Sequence, residues 1–395
     1  MTMESCQIPV NIGLRGVKIA TTRISDVNGD EGRLIYRGYL IQDLAAHVCF
    51  EEVAYLLLKE QLPDPQELEA FRQELAAQRA IPVSLVQALA SQPPDAKPMD
   101  ILQASVALLA NSDPDLRQAG NKDAANRMAI RLISRVGTVV AAWNRIRNGL
   151  PPVDPDPQLN HAANFLYMLS GKRPDEETAR FFDTCLVLHA EHSFNASTFA
   201  AREVASTRAH MYAAVSAAVG SLSGDLHGGA NVRVMEMLQK IGSIDNVESY
   251  VKAELDAGNK IMGLGHAVYA VDDPRAKILE PMSRILGEKR GELKWYELSR
   301  AVEKVSRAEF KKRKGIELPV NVDFYSASVY QAMGIPVDLF SPVFAVSRVT
   351  GWTAHVIEEQ FGGASAKPVL YRPESEYVGD YCGPEVCTLT PISSR

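Results

Sequence analysis

Apolar residues recur at three- and four-residue spacing along most of this chain, and the pattern predicts helix after helix. "PQELEAFRQELAAQ" (65–78), "KDAANRMAIRLISRVGTVVAAWNRIRNG" (122–149), "ETARFFDTCLVLHAEH" (177–192) and "RGELKWYELSRAVEKVSRAEFKKRKG" (290–315) all carry it, with prolines and glycines between them. The run "HMYAAVSAAVGSLSG" (210–224) has no charge beyond one histidine and predicts a helix buried all round. Period-two alternation is confined to "GVKIATTRISDVNGDEGRLIYRG" (16–38), where two β-prone runs flank the turn-forming "DVNGDEG" and predict a small β-hairpin. "GLPPVDPDPQ" (149–158) reads as a loop. The pattern therefore predicts an all-α fold with a thick, many-layered helical core and a small N-terminal hairpin.

Length and composition narrow the function. The chain has 395 residues, enough for two domains, and 46% of them are hydrophobic. A net charge of −6 argues against sequence-independent nucleic-acid binding, which needs a dense basic surface. Any anionic ligand must then be met by local arginines. The 210–224 run is too short for a membrane span, and the first ten residues lack the basic flank and apolar core of a secretory signal. Five cysteines, Cys6, Cys49, Cys185, Cys382 and Cys387, are sparse and odd in number, which fits a reducing compartment. The expectation is a cytoplasmic protein without membrane or nucleic-acid partners.

Five stretches place a polar group beside small residues or a helix end. "HAEHSFNAST" (189–198) puts His189 and His192 three apart, on neighbouring faces of a helix. "SGDLHGGAN" (223–231) sets His227 before two glycines. "GLGHAVYAVDDPRA" (263–276) holds His266 and Arg275. "NVDFYSAS" (321–328) carries Asp323, and two further arginines are Arg348 in "VFAVSRVTG" and Arg372 in "LYRPESEYVG". Each has an ordinary structural explanation. His189 fits a core histidine, Asp323 a helix cap, and Arg348 and Arg372 surface or interface salt bridges. Their joint recurrence in loop and helix-end contexts favours chemistry. His189-x-x-His192 lacks a third zinc ligand at helical spacing, and no phosphate-binding glycine loop or serine elbow is present. Acid–base chemistry on a substrate whose carboxylates are gripped by arginine remains.

These motifs also resemble, in order and spacing, those of the citrate synthase family of bacterial type. The resemblance begins with "GLRGVKIATTRISDVNGDEGRLIYRGYLIQDLA" and extends through "HSFNASTFAAR", "LHGGAN", "GHAVYAVDDPRA", "NVDFYSAS", "FAVSRVTGW" and "YRPESEYVG". It implies a two-domain helical fold, with a large dimerisation domain (1–227 and 341–395) and a small domain (228–340) that closes over the substrates. It implies a condensing acyltransferase that converts the acyl group into alkyl on transfer, joining acetyl-CoA to oxaloacetate. Asp323 would be the base, His227 would bind the thioester oxygen, and His266 would polarise the ketone. His192, Arg275 and Arg348 would hold the carboxylates, together with Arg372 reaching over from the neighbouring subunit of a homodimer. Lys312 and Lys314 would meet the CoA phosphates. Acetyl-CoA would be a co-substrate, with no metal and no permanently bound cofactor. The alternatives are a 2-methylcitrate synthase taking propionyl-CoA and a catalytically weak self-assembling paralogue. Glu191, Ser193, Asp225, Ala270 and Ala327 depart from the residues usual in the family at those positions.

Overall fold

The computed structural model of the protein describes residues 10–14, 16–118, 120–266, 268–362, 369–379 and 392–394. The N-terminal hairpin forms where the alternation placed it, as β1 (Ser25–Asn28) and β2 (Arg33–Tyr36), antiparallel with Ser25 opposite Tyr36. A third short strand, β3 (Tyr39–Leu40), adds to β2 through a two-residue turn. Both turn residues, Arg37 and Gly38, have positive φ, the geometry that matches the twist of paired strands. The 24–36 segment is anchored by Ile24, Leu34 and Tyr36, all fully buried.

Sixteen α-helices follow among the described residues. The first seven are α1 (Ile41–His47), α2 (Phe50–Lys59), α3 (Pro65–Ala77), α4 (Val83–Ala90), α5 (Pro98–Leu109), α6 (Lys122–Arg147) and α7 (His161–Ser170). Then come α8 (Glu176–His189), α9 (Ala196–Ser206), α10 (Met211–Leu222), α11 (Ala230–Ile241) and α12 (Val247–Asp256). The last four are α13 (Pro274–Arg290), α14 (Leu293–Lys314), α15 (Val322–Ala332) and α16 (Phe340–Phe361). Side-chain caps start many of them. Asp64 and Glu67 make a reciprocal capping box on α3, and Asp175, Asn195 and Asn321 cap α8, α9 and α15. The core centres on α6 and α16, which pack against each other and bury residues on every side, including Trp143 and Trp352. No helix among the described residues is long and apolar enough to cross a membrane.

Two sequence expectations need correction. Helix α8 stops at His189, so His192 lies in the turn beyond it and the two histidines do not share a helix. The stop has a cause on the neighbouring helix. The last carbonyls of α8 have no intrahelical partner. Ser347 Oγ donates to Leu186 O, Arg348 Nε to His189 O (2.6 Å) and Gly351 N to Ala190 O (3.1 Å), while Tyr36 Oη lies 3.2 Å from Leu188 O. Only glycine permits this approach. A Cβ at residue 351 would lie 2.5 Å from Ala190 O and 2.2 Å from Glu191 Oε2. The second correction concerns α10, which is not buried all round within one chain. Ala213, Ser216, Ala217, Gly220 and Ser221 form a half-buried face. The free thiols that the structure describes are Cys49 and Cys185; Cys6, Cys382 and Cys387 lie outside the described residues.

Candidate active site

Four helix N-termini converge on one cavity of about 620 Å³, whose wall includes residues from the starts of α9, α13 and α15 and from the glycine turn before α11. Their peptide dipoles make the space favourable for an anion. The cavity is lined by His192, His227, His266, Arg275, Asp323 and Arg348, so six residues scattered over 157 positions of sequence meet in one place. Arg372 is exposed on the C-terminal segment and is not part of this wall.

His266 and His227 are each held in a definable tautomer. Nδ1 of His266 accepts the backbone N–H groups of Val268 (2.9 Å) and Tyr269 (3.0 Å), which leaves Nε2 as the protonated, donating nitrogen. Nε2 of His227 accepts the backbone N–H of Ser197 (3.1 Å), so Nδ1 carries its proton. The Ser197 hydroxyl is 2.8 Å from the same nitrogen and accepts from Trp352 Nε1 at 3.1 Å. Burial, with Arg348 nearby, pushes the His227 pKa down to about 4. Burial and then Arg275 do the same for His266, also to about 4, with Asp273 opposing. Both rings are therefore neutral donors at pH 7. His192 is driven well below its ordinary value by burial and by Arg275 and Arg348, and its Nε2 lies 3.1 Å from the hydroxyl of Tyr269.

Asp323 sits in the first turn of α15, but it is not the cap. Asn321 is, accepting the Asp323 N–H at 3.1 Å. The carboxyl is thus left for the cavity. Burial raises its pKa to about 6, against the pull of Arg275 and Arg348. A carboxylate poised there is a competent base near neutral pH.

Two of the arginines are far from the surface. Arg275 and Arg348 are each 2% exposed. Arg275 is clamped by Asp273 through Nε (2.9 Å) and a terminal nitrogen (2.7 Å). Burial would lower its pKa, but that carboxylate raises it beyond the ordinary value. Arg348 stacks over Phe344 with Cζ 4.6 Å from the ring centroid. Burial lowers its pKa to about 10, so it stays charged. His192, His266 and Asp273 bring ligand-type atoms within 4.8 Å of one another. Of these groups, His266 Nδ1 already accepts two backbone N–H groups, Asp273 clamps the Arg275 guanidinium and His192 Nε2 lies against Tyr269 Oη.

A second cavity of about 690 Å³ shares Leu226, Gly265, His266 and Asn321 with the first and continues past Phe310 to Lys260, Arg313 and Lys314. Lys314 lines it and Lys312 does not. On α14 the positions 310, 313 and 314 share a face, and 312 points away, to the neighbourhood of Glu248. Sequence reasoning missed Lys260, although "GNKIMGLGH" sets a cation just before the His266 loop. It also missed Tyr36, Ser197 and Tyr269, whose roles depend on contacts that no local pattern encodes.

The fold and cavity define a mainly helical protein in which one carboxylate faces neutral imidazoles and buried guanidinium groups. A family model described as "Citrate synthase, C-terminal domain" matches residues 13–374, and the chain belongs to the citrate synthase family. It is 45% identical over 389 residues to the citrate synthase of Haloferax volcanii, covering 97% of this chain and 98% of that one. It is 41% identical over 368 residues to a 2-methylcitrate synthase of Mycobacterium tuberculosis, covering 93% and 90%. The Thermoplasma acidophilum citrate synthase, solved as a ternary complex with carboxymethyl coenzyme A and oxaloacetate, superposes with a TM-score of 0.90. That structure is 32% identical, with 98% of this chain and 100% of that one covered.

Proposed function

We propose that the enzyme condenses acetyl-CoA with oxaloacetate and hydrolyses the resulting citryl thioester, with the residues above in the following roles. The carboxylate of Asp323 removes a proton from the acetyl methyl group. The Nδ1–H of His227 donates to the thioester oxygen, where charge develops as the enol forms. The Nε2–H of His266 donates to the ketone oxygen of oxaloacetate, and the enol carbon then bonds to the ketone carbon. His192, Arg275 and Arg348 hold the oxaloacetate carboxylates, and Arg372 of the partner subunit completes the set. Water cleaves the thioester and the CoA thiol leaves.

The observation that carries this reading is the convergence of Asp323, His227 and His266 on one cavity, with each imidazole fixed as a neutral donor by backbone N–H groups. CoA is assigned to the second cavity, with Lys260 and Lys314 as its local countercharges in an acidic chain. The small domain (228–340) would close on the large one (1–227 and 341–395) over both cavities and exclude water. The half-buried small-residue face of α10 supports a homodimer, and the composition supports a cytoplasmic location. Propionyl-CoA is the second acyl donor to test, because a 41% identical relative is a 2-methylcitrate synthase and one methylene is worth only about 1–3 kcal/mol of discrimination. Thiol release from acetyl-CoA, with and without oxaloacetate, tests the proposal. Release independent of oxaloacetate would overturn it, and a higher kcat/KM with propionyl-CoA would reassign the donor.

A further inference from the structure

Behind the His192 turn runs a string of buried ionisable groups that the chemistry above does not use: Glu191, Arg202, His355, Glu358 and Glu359. Burying charges is costly, and such a string persists only where each member is well partnered. The partners can be followed atom by atom. The N–H of Ser193 donates to Ser25 Oγ (3.1 Å), whose hydroxyl donates to Glu191 Oε1 (2.9 Å). The same carboxylate oxygen accepts from Nε2 of His355 at 3.0 Å. Nδ1 of His355 accepts from Arg202 at 2.9 Å, and Arg202 pairs with Glu358 (2.8 Å) and Glu359 (2.6 Å). Glu359 accepts from the hydroxyl of Tyr371 at 2.7 Å, and the backbone N–H of Tyr371 donates to Ser206 on the helix that carries Arg202. The guanidinium also lies 4.6 Å from the ring of Phe194, a residue of the cavity wall.

Both ends of this string stop one residue short of a substrate ligand. Ser193 follows His192 and holds the left-handed backbone (φ 51) that turns the chain there, and Tyr371 precedes Arg372. We propose that Arg202 is a positioning residue that fixes, through Tyr371, the segment presenting Arg372 to the neighbouring site while bracing the His192 turn of its own. The proposal rests on the reading of Arg372 as an oxaloacetate ligand of the partner subunit's site. It makes one buried ion network common to the oxaloacetate-binding parts of two sites.

Tyr371→Phe is the mild probe and Arg202→Lys the conservative one at the centre, each made alone and in an Arg372→Ala background. Tyr371→Phe should raise the oxaloacetate KM about tenfold, the usual scale of one charge-assisted hydrogen bond. The acetyl-CoA KM and the Tm should stay close to the parent's. In the Arg372→Ala background Tyr371→Phe should raise the oxaloacetate KM no further, whereas Arg202→Lys should keep the part of its effect that runs through the His192 turn. If Arg372→Ala itself leaves that KM unchanged, the reading of Arg372 fails and this inference goes with it. If Arg372→Ala raises it but Tyr371→Phe does not, or the two effects simply multiply, Arg202 is structural and the proposal is wrong. Should Arg202→Lys not fold, Tyr371→Phe decides alone.

Discussion

A Cβ added to Gly29 would lie 2.0 Å from the carbonyl oxygen of Val268, so the tip of the N-terminal hairpin touches the backbone of the His266 loop. Gly29 O also accepts the N–H of Ala270 at 3.0 Å. The contact bears on chemistry, since the N–H groups of Val268 and Tyr269 in this same stretch hold the His266 tautomer. Gly29→Ala should push the stretch away and misplace the Nε2 donor. A displacement near 1 Å costs on the order of 10²-fold in rate. The expected result is a fall in kcat of about that size, with folding retained by circular dichroism. An unchanged kcat would show that the hairpin only covers the loop.

Asp323→Asn separates chemistry from stability. Losing the general base should lower kcat by roughly 10²–10⁴-fold. Stability should move the other way at neutral pH. The folded-state pKa of Asp323 is raised, from 3.8 to about 6. A raised pKa contributes stability that is fully present below the unfolded value and is lost as pH rises through 6. At pH 8 the parent therefore carries a burial penalty of up to about 3 kcal/mol that the amide lacks. Urea unfolding should show the variant more stable than the parent at pH 8 and no more stable at pH 3.5. Equal stability at pH 8 would mean that the carboxylate is better solvated than its position suggests.

The same values predict the acid limb of activity. His227 and His266 remain neutral donors down to about pH 4, whereas Asp323 takes up its proton near 6. The kcat/KM for acetyl-CoA should fall tenfold per pH unit below about 6, with a single proton on the limb until pH 4 is approached. A second proton titrating near 6.5 would show that an imidazole is charged in the free enzyme.

Much of this was legible in the sequence, and the exceptions share a cause. Periodicity located α3 and α14, which bury one stripe each, and α6 and α8, whose apolar residues recur at helical spacing although they are buried more widely; in all four the signal is local. The end of α8 escaped, since the groups that take up its last carbonyls come from α16, some 160 residues later. The basic run 311–314 draws attention to Lys312 and Lys314, whereas the isolated Lys260 does not stand out. Which face of α14 borders the cavity is set by packing on α12, and that is invisible in a run of four cations. Arg202 carried no signal at all, because an arginine at the end of "NASTFAAR" reads as solvated until His355 and Glu359 are brought beside it.

If Arg372 completes the neighbouring site, two variants that are each nearly inactive at low oxaloacetate should rescue each other as mixed subunits. Take Arg372→Ala and Asp323→Ala, dissociate both, and let them reassociate. A mixed dimer then has one site carrying both lesions and one with an intact Asp323 and an intact Arg372 from opposite chains. Random pairing makes about half of all dimers mixed, each with one complete site of two, so activity should recover to roughly a quarter of the parent's. Arg372→Ala alone should bind oxaloacetate poorly, because a hydrogen bond between charged groups contributes about 1.5–3 kcal/mol. A mixture held where subunits do not exchange should stay inactive. Mixed dimers verified by native mass spectrometry yet inactive would place Arg372 within its own chain's site, or in folding alone.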